Sequence, residues 1–149
     1  MGSIHDNLQA VKGRIAAAAR AAGRDPGAVS LLAVSKTQAP ALIEAAYAAG
    51  QRAFGENYVQ EALDKMDALA GRPIEWHLLG PLQSNKTRLA AERFHWVHTV
   101  DREKIARRLS EQRPQGMAPL NVLVQVNASG EASKSGVAPA EVAALAAAI

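Results

Sequence analysis

A chain of 149 residues is long enough for one domain with a real core, yet short of the roughly 250 residues of a complete eight-unit α/β barrel. Its composition, 48% hydrophobic and 21% charged, excludes disordered and fibrous classes, and the lack of cysteine excludes a disulfide framework, a thiolate metal site and a cysteine nucleophile. The net charge of +3 is mild, and its densest cluster, Arg102, Lys104, Arg107 and Arg108, is interleaved with Glu103 and Glu111, so it reads as a solvated surface and not as a nucleic-acid contact.

The chain opens without the apolar run of a signal peptide, and no stretch approaches the ~20 apolar residues of a membrane span, so a cytoplasmic protein with no membrane partner is expected. Ile4, Leu8, Val11 and Ile15 recur at helical spacing, which predicts a first helix over 4–22, stopped by Gly23 and Pro26. The β-branched apolar run VSLLAVSK (29–36) predicts a strand, and Pro40 opens a helix over ALIEAAYAAG. RAFGE (52–56) is a second strand. The helix after it is expected from Asn57 to about Ala70, with Asn57 as N-cap and Gln60 completing a capping box. EWHLLG (75–80) is a third strand, followed by a helix from Ser84 to about Glu92. HWVHTV (95–100) is a fourth, after which Asp101 is expected to cap a helix reaching about Gln112. LNVLVQVN (120–127) is a fifth, and Pro139 begins a last helix running into Ile149.

Strict alternation of strands with helices argues for a parallel sheet, because parallel neighbours need a crossover. An open doubly wound sheet and a closed barrel both satisfy this pattern. The chain stops within an apolar helical pattern, which is expected to mark a fragment boundary.

Lys36 ends an apolar strand and falls on the face of Leu32 and Val34 by the period of two. Burial there would disfavour its charged form and leave a nucleophilic amine able to condense with an aldehyde, at the strand ends where parallel α/β folds bind ligands. A lysine that snorkels to water satisfies the same pattern. His77, Gln83, Asn85 and Lys86 gather near the third strand's end, and Gln125, Asn127, Ser129, Glu131 and Lys134 after the fifth; together they suggest one polar-lined pocket, although all β-α loops tend to be polar. The glycine spacing around Lys134 does not meet the phosphate-loop pattern. His95 and His98, three apart on a strand, project to opposite faces, so no zinc site is expected.

AVSKTQ at 33–38, FGENYVQEA at 54–62, WHLLGPLQSNK at 76–86, HTVD at 98–101 and QVNASGEASKSG at 125–136 occur in order over most of the chain. Together they resemble the pyridoxal-phosphate homeostasis protein family, whose barrel is similar to the N-terminal domain of alanine racemase. The resemblance implies that residues 1–149 form a single domain, the N-terminal portion of a (β/α)8 TIM-type barrel: a helix plus about five β-α units, with the C-terminal part missing. It implies pyridoxal 5'-phosphate (PLP) as cofactor, held as a reversible Schiff base on Lys36, with Asn57 in contact and Asn127 and Lys134 near the same mouth. The phosphate and the pyridine nitrogen are expected to be held by later loops, beyond Ile149. The function implied is a non-catalytic carrier in PLP homeostasis, with PLP-dependent apoenzymes as partners. The rival is a racemase or decarboxylase using the same lysine, which would need a second acid-base group facing it.

Overall fold

The computed structural model describes residues 3–149. Five strands, β1 (Ala33–Val34), β2 (Ala53–Glu56), β3 (Glu75–Leu78), β4 (Trp96–Val100) and β5 (Asn121–Val124), form one parallel sheet in the order β1-β2-β3-β4-β5. Between and around them lie α1 (Ile4–Ala21), α2 (Pro40–Ala48), α3 (Val59–Ala68), α4 (Thr87–Arg93), α5 (Glu103–Gln112) and α6 (Val142–Ala148). A doubly wound sheet reverses its strand order at a switch point; this sheet adds each strand beside the last. With right-handed crossovers that places the helices on one face. The packing of α1 on α2, α3 on α4 and α4 on α5 agrees.

The two faces differ in burial as this winding requires. Phe54, Trp76, Leu78 and Val97 point toward the helices and join Ile43, Leu63, Met66, Phe94, Ile105 and Leu109 in one core. The opposite, inner face is open, leaving Val34 54% and Leu123 45% exposed. Five β-α units therefore stand as expected, although the elements are trimmed at their ends.

Each trimming has a local cause. The first strand is two residues long rather than spanning 29–36, because Gln51 Nε2 takes the Leu31 carbonyl (2.8 Å) and the Ala53 carbonyl (2.9 Å), a side-chain substitute for ladder pairing. Ser3 caps α1 by accepting the Asp6 N–H at 3.1 Å. Asn57 is not the cap of α3. That helix begins at Val59 after Tyr58, with no side-chain cap; Asn57 lies in a bend just after β2, its carbonyl where a Cβ on Gly80 would fall, and Gln60 reaches Asp64 at 3.4 Å. Nor does Asp101 cap α5, which starts at Glu103. Its carboxylate accepts the Gly136 N–H (3.3 Å) and lies 3.5 Å from Arg102 Nε, so it ties the fourth strand's end to the loop beyond β5. Arg113 closes the end of α4, donating from Nη1 to the carbonyls of Ala91 and Phe94, both at 2.7 Å, and from Nε and Nη2 to Ala118 O.

The basic cluster is a solvated helix face in the main. Arg107 pairs with Glu103 at 3.0 Å, while half-buried Arg108 donates to Thr87 Oγ1 at 3.1 Å. Among the described residues no helix is long and apolar enough to cross a membrane.

Candidate functional site

Pairing of Val34 with Gly55, Gly55 with His77 and His77 with Trp96 aligns these residues in one row across the inner face. Lys36 and Asn57 follow two residues past this row, beyond the ladder at the C-terminal end of the sheet, where the chains approach closely. Two glycines allow this. A Cβ on Gly55 would run into the Leu79 side chain, and one on Gly80 into the Asn57 carbonyl oxygen and within 2.8 Å of the Asn57 carbonyl carbon.

Lys36 is not the last residue of a buried strand. It occupies the first central position of a β-turn, Ser35 to Gln38, closed by Gln38 N–H donating to Ser35 O at 3.1 Å. Thr37, at the second central position, has φ 63°, and only the second position is positive, which defines a type II turn. A β-branched residue in that region is costly and persists only where its surroundings impose it. Lys36 itself is exposed, because the open inner face leaves its side chain in solvent, so of the two readings of its pattern the lysine that reaches water is the one found. Among the described residues its Nζ makes no hydrogen bond or ion pair.

Behind the turn sits a buried cluster that sequence reading missed. Lys65 of α3 is 4% and Glu56 of β2 0% exposed; their side chains meet at 2.9 and 3.0 Å. Lys65 Nζ also donates to Ser35 O at 2.7 Å, and Ser35 Oγ donates to Glu56 Oε2. Glu61 stands 3.3 Å from Lys65 and accepts the Thr37 N–H at 2.8 Å. The signal available in the sequence was a lysine on the apolar face of the third helix: Lys65 falls between Leu63 and Met66, among residues otherwise read as core.

Asn57 is half-buried, and among the described residues its side-chain amide makes no hydrogen bond, so it is free for a ligand. Asn127 is committed to its own loop. Its Nδ2 donates to Glu131 O (2.9 Å) and Lys134 O (3.3 Å), and its Oδ1 accepts from Ser129 Oγ (3.2 Å) and Gly130 N (3.1 Å). Lys134 is exposed in that loop.

His77 lies one row below Lys36, mid-sheet rather than at the rim. It stacks on Trp96 (ring centroids 5.5 Å apart), holds His98 Nε2 at 2.8 Å through Nδ1, and contacts Glu75 at 2.7 Å through Nε2. Burial, then the neighbouring His77, lowers the pKa of His98. His95 points away from this pair, accepting the Trp76 N–H on Nδ1 at 2.9 Å. Burial and then the charge of Arg113 lower its pKa, with Glu75 opposing. The two histidines of the fourth strand thus take separate partners, and among the described residues no group of three His, Cys, Asp or Glu side chains could hold a metal ion.

The alanine racemase N-terminal domain matches residues 7–149. The pyridoxal phosphate homeostasis protein of Pseudomonas aeruginosa is 62% identical over 149 residues, covering 100% of this chain and 65% of that protein. The protein of the same name from Escherichia coli K12 is 54% identical over 152 residues, again covering 100% of this chain and 65% of the relative. The chain therefore spans 65% of the length of these relatives. PipY of Synechococcus elongatus PCC7942, solved with PLP bound, is 39% identical with a TM-score of 0.76, covering 95% of this chain and 61% of that one. With its winding, its strand-end lysine and a match along nearly all its length, the chain belongs to the alanine racemase N-terminal domain family and is similar throughout to the pyridoxal phosphate homeostasis proteins.

Proposed function

We propose that this chain is the cofactor-anchoring part of a PLP-homeostasis protein, in which Lys36 holds PLP as a reversible Schiff base. The observation that carries the reading is a lysine amine without a protein partner, at the C-terminal rim of a parallel sheet, on a turn whose backbone is tied down. PipY, which binds PLP, supports it at 39% identity. The residues present fit the group: an exposed primary amine on Lys36 for an aldehyde, and an uncommitted amide on Asn57 at the same C-terminal end of the sheet.

When bound, PLP supplies an aldehyde carbon that accepts a primary amine with loss of one water, and the same water reverses the bond. Lys36 contributes the amine nitrogen. Its exposure keeps that bond open to hydrolysis, which suits a carrier that takes up and releases its cargo. Asn57, whose half-buried amide has no partner among the described residues, would contact the cofactor from the end of β2. Asn127 and Lys134 act through the loop they share: the Asn127 amide shapes it, and the Lys134 side chain is free to approach the mouth. The phosphate and the pyridine nitrogen are left to loops beyond these five units, within a partial (β/α)8 barrel. This chain by itself is then expected to load weakly.

A racemase or decarboxylase would need a second proton-transfer group facing Lys36. Tyr47 lies under the Arg52 guanidinium, 3.8 Å from its ring centre, and Tyr58 is exposed ahead of α3. We propose the carrier role, in the cytoplasm and with PLP-dependent apoenzymes as recipients, on the strength of the 62% identity to a pyridoxal phosphate homeostasis protein. The test is borohydride reduction of the full-length gene product with PLP, followed by peptide mapping, for the parent and Lys36→Ala. Label on Lys36 that disappears in the variant, with no amino-acid turnover, is the expected result. Label retained by Lys36→Ala would overturn the assignment, and racemisation by the parent would favour the enzyme.

A further inference from the structure

The anchoring lysine stands on a turn, and the turn is held by charge. β1 contributes only Ala33 and Val34 to the ladder, so regular pairing with β2 stops short of Lys36, with Ser35 N–H to Gly55 O (2.9 Å) as its last bond. The orientation of a residue's Cα–Cβ bond depends on the two peptide planes on either side of it. Here the plane before Lys36 carries Ser35 O, which Lys65 Nζ holds at 2.7 Å. The plane after it carries the Thr37 N–H, which Glu61 Oε2 holds at 2.8 Å. Both clamps come from one helix, α3, and they are linked to each other through the 3.3 Å Lys65–Glu61 contact. Glu56, fully buried, balances Lys65 and receives the Ser35 hydroxyl.

We propose that Glu56, Lys65 and Glu61 are positioning residues for Lys36, an ion network behind the sheet that fixes both peptide planes around it and so aims its amine at the inner face. This rests on the reading of Lys36 as the cofactor anchor.

A buried ion pair is a poor source of stability, because desolvation offsets most of its attraction and an apolar replacement of similar volume often does as well. Stability alone therefore does not explain why α3 carries a lysine into the core. Charge-assisted bonds to main-chain groups are shorter and stronger than neutral ones, and an apolar side chain cannot hold a carbonyl or an N–H in place. The positive φ of Thr37 shows that the turn is in a conformation its own sequence does not favour. Without the Glu61 bond to the Thr37 N–H, the plane between Lys36 and Thr37 is free to flip to the commoner turn, which would swing the lysine.

The test uses the full-length gene product and the double variant Glu56→Gln/Lys65→Met, which removes both buried charges together and leaves neither alone. The expected result is a cooperative melt close to the parent's, faster hydrogen exchange confined to the amides of residues 36–38, and slower PLP uptake at Lys36, by about ten- to a hundredfold, as expected when a reacting group is misplaced by about 1 Å. The exchange measurement is made without PLP, so it reads the clamp independently of loading. Parent-like exchange and uptake, or faster exchange with unchanged uptake, would overturn the proposal. Should the double variant not fold, Glu61→Ala, which removes a half-buried side chain, breaks the Thr37 clamp and its 3.3 Å contact with Lys65 while leaving the Lys65–Glu56 pair in place; it should slow uptake several-fold, and unchanged uptake again refutes the idea. Lys36→Ala keeps the two readings apart. If it still takes label, the anchor assignment fails. If it loses label while both clamp variants behave like the parent, only this inference fails.

Discussion

Replacing Gly80 by alanine should be one of the most damaging single-methyl changes in this chain. The added Cβ would overlap the Asn57 carbonyl oxygen and lie 2.8 Å from its carbonyl carbon and 3.0 Å from its Cα, all backbone atoms that cannot rotate aside. Relief requires the end of β3 to move away from the end of β2. That motion strains two bonds on either side, Leu79 N–H to Glu56 O at 2.8 Å and Thr99 Oγ1 to Gly80 O at 2.9 Å. Overpacking of this kind costs about 1–3 kcal/mol and a weakened hydrogen bond about 1 kcal/mol, for a total of about 2–4 kcal/mol. For a chain of this size that is a fall in Tm of roughly 6–15 °C. Thermal melts followed by circular dichroism measure it, with Gly13→Ala as control. Gly13 lies inside α1 with no atom within 4 Å of its would-be Cβ, so alanine there should raise the Tm through helix propensity worth about 0.5–1 kcal/mol. A Gly80→Ala Tm within about 2 °C of the parent would refute the reasoning, since a smaller fall than that corresponds to less than about 1 kcal/mol.

Lys65→Met alone, unlike the double variant, leaves Glu56 buried without its counter-ion, and should cost about 3–5 kcal/mol in a denaturant titration. His95 and His98 have pKa values lowered by folding, so the unfolded chain takes up their protons first as the pH falls. Their contribution to stability is therefore complete above about pH 6.5 and is lost as the pH drops through the lower folded values. Unfolding midpoints should decline from about pH 7 downward, and His95→Asn with His98→Gln, which keep acceptor geometry without the titration, should flatten that decline. Asn127→Ala removes the hydrogen bonds that shape its loop, and should speed limited proteolysis between residues 128 and 136 while leaving the global melt within about 1 kcal/mol, as expected for an exposed loop. Phe94→Ala, at a fully buried position among the core residues of α4 and α5, should cost about 3–5 kcal/mol.

Much of the scaffold is legible along the chain because its physics is local. Apolar periods of two and of three to four follow from strand and helix geometry, and their strict alternation already demands a parallel sheet. Lys36 and Asn57 were visible as polar residues at the ends of apolar runs, and the ordered motifs gave them a family setting. Element ends were less legible. Asn57 and Asp101 have the chemistry of helix caps, yet close packing against Gly80 in one case and a loop N–H in the other draws them elsewhere. Which residue caps a helix depends on what else competes for its side chain, and the competitors are distant in sequence.

What the sequence by itself determined is the set of β-α units, the lack of cysteine in this chain and the lysine that follows the first strand. Only the tertiary structure decided that the strands are wound in one direction, that Lys36 sits in a type II turn exposed on the open inner face, and that its two peptide planes are gripped from behind by Lys65 and Glu61. The physical reason is range. Periodicity and capping are settled within a few residues, whereas the clamp on Lys36 joins groups 24 to 30 positions apart, and nothing in a linear pattern reveals that a lysine among apolar neighbours on one helix will meet a carbonyl on the first strand.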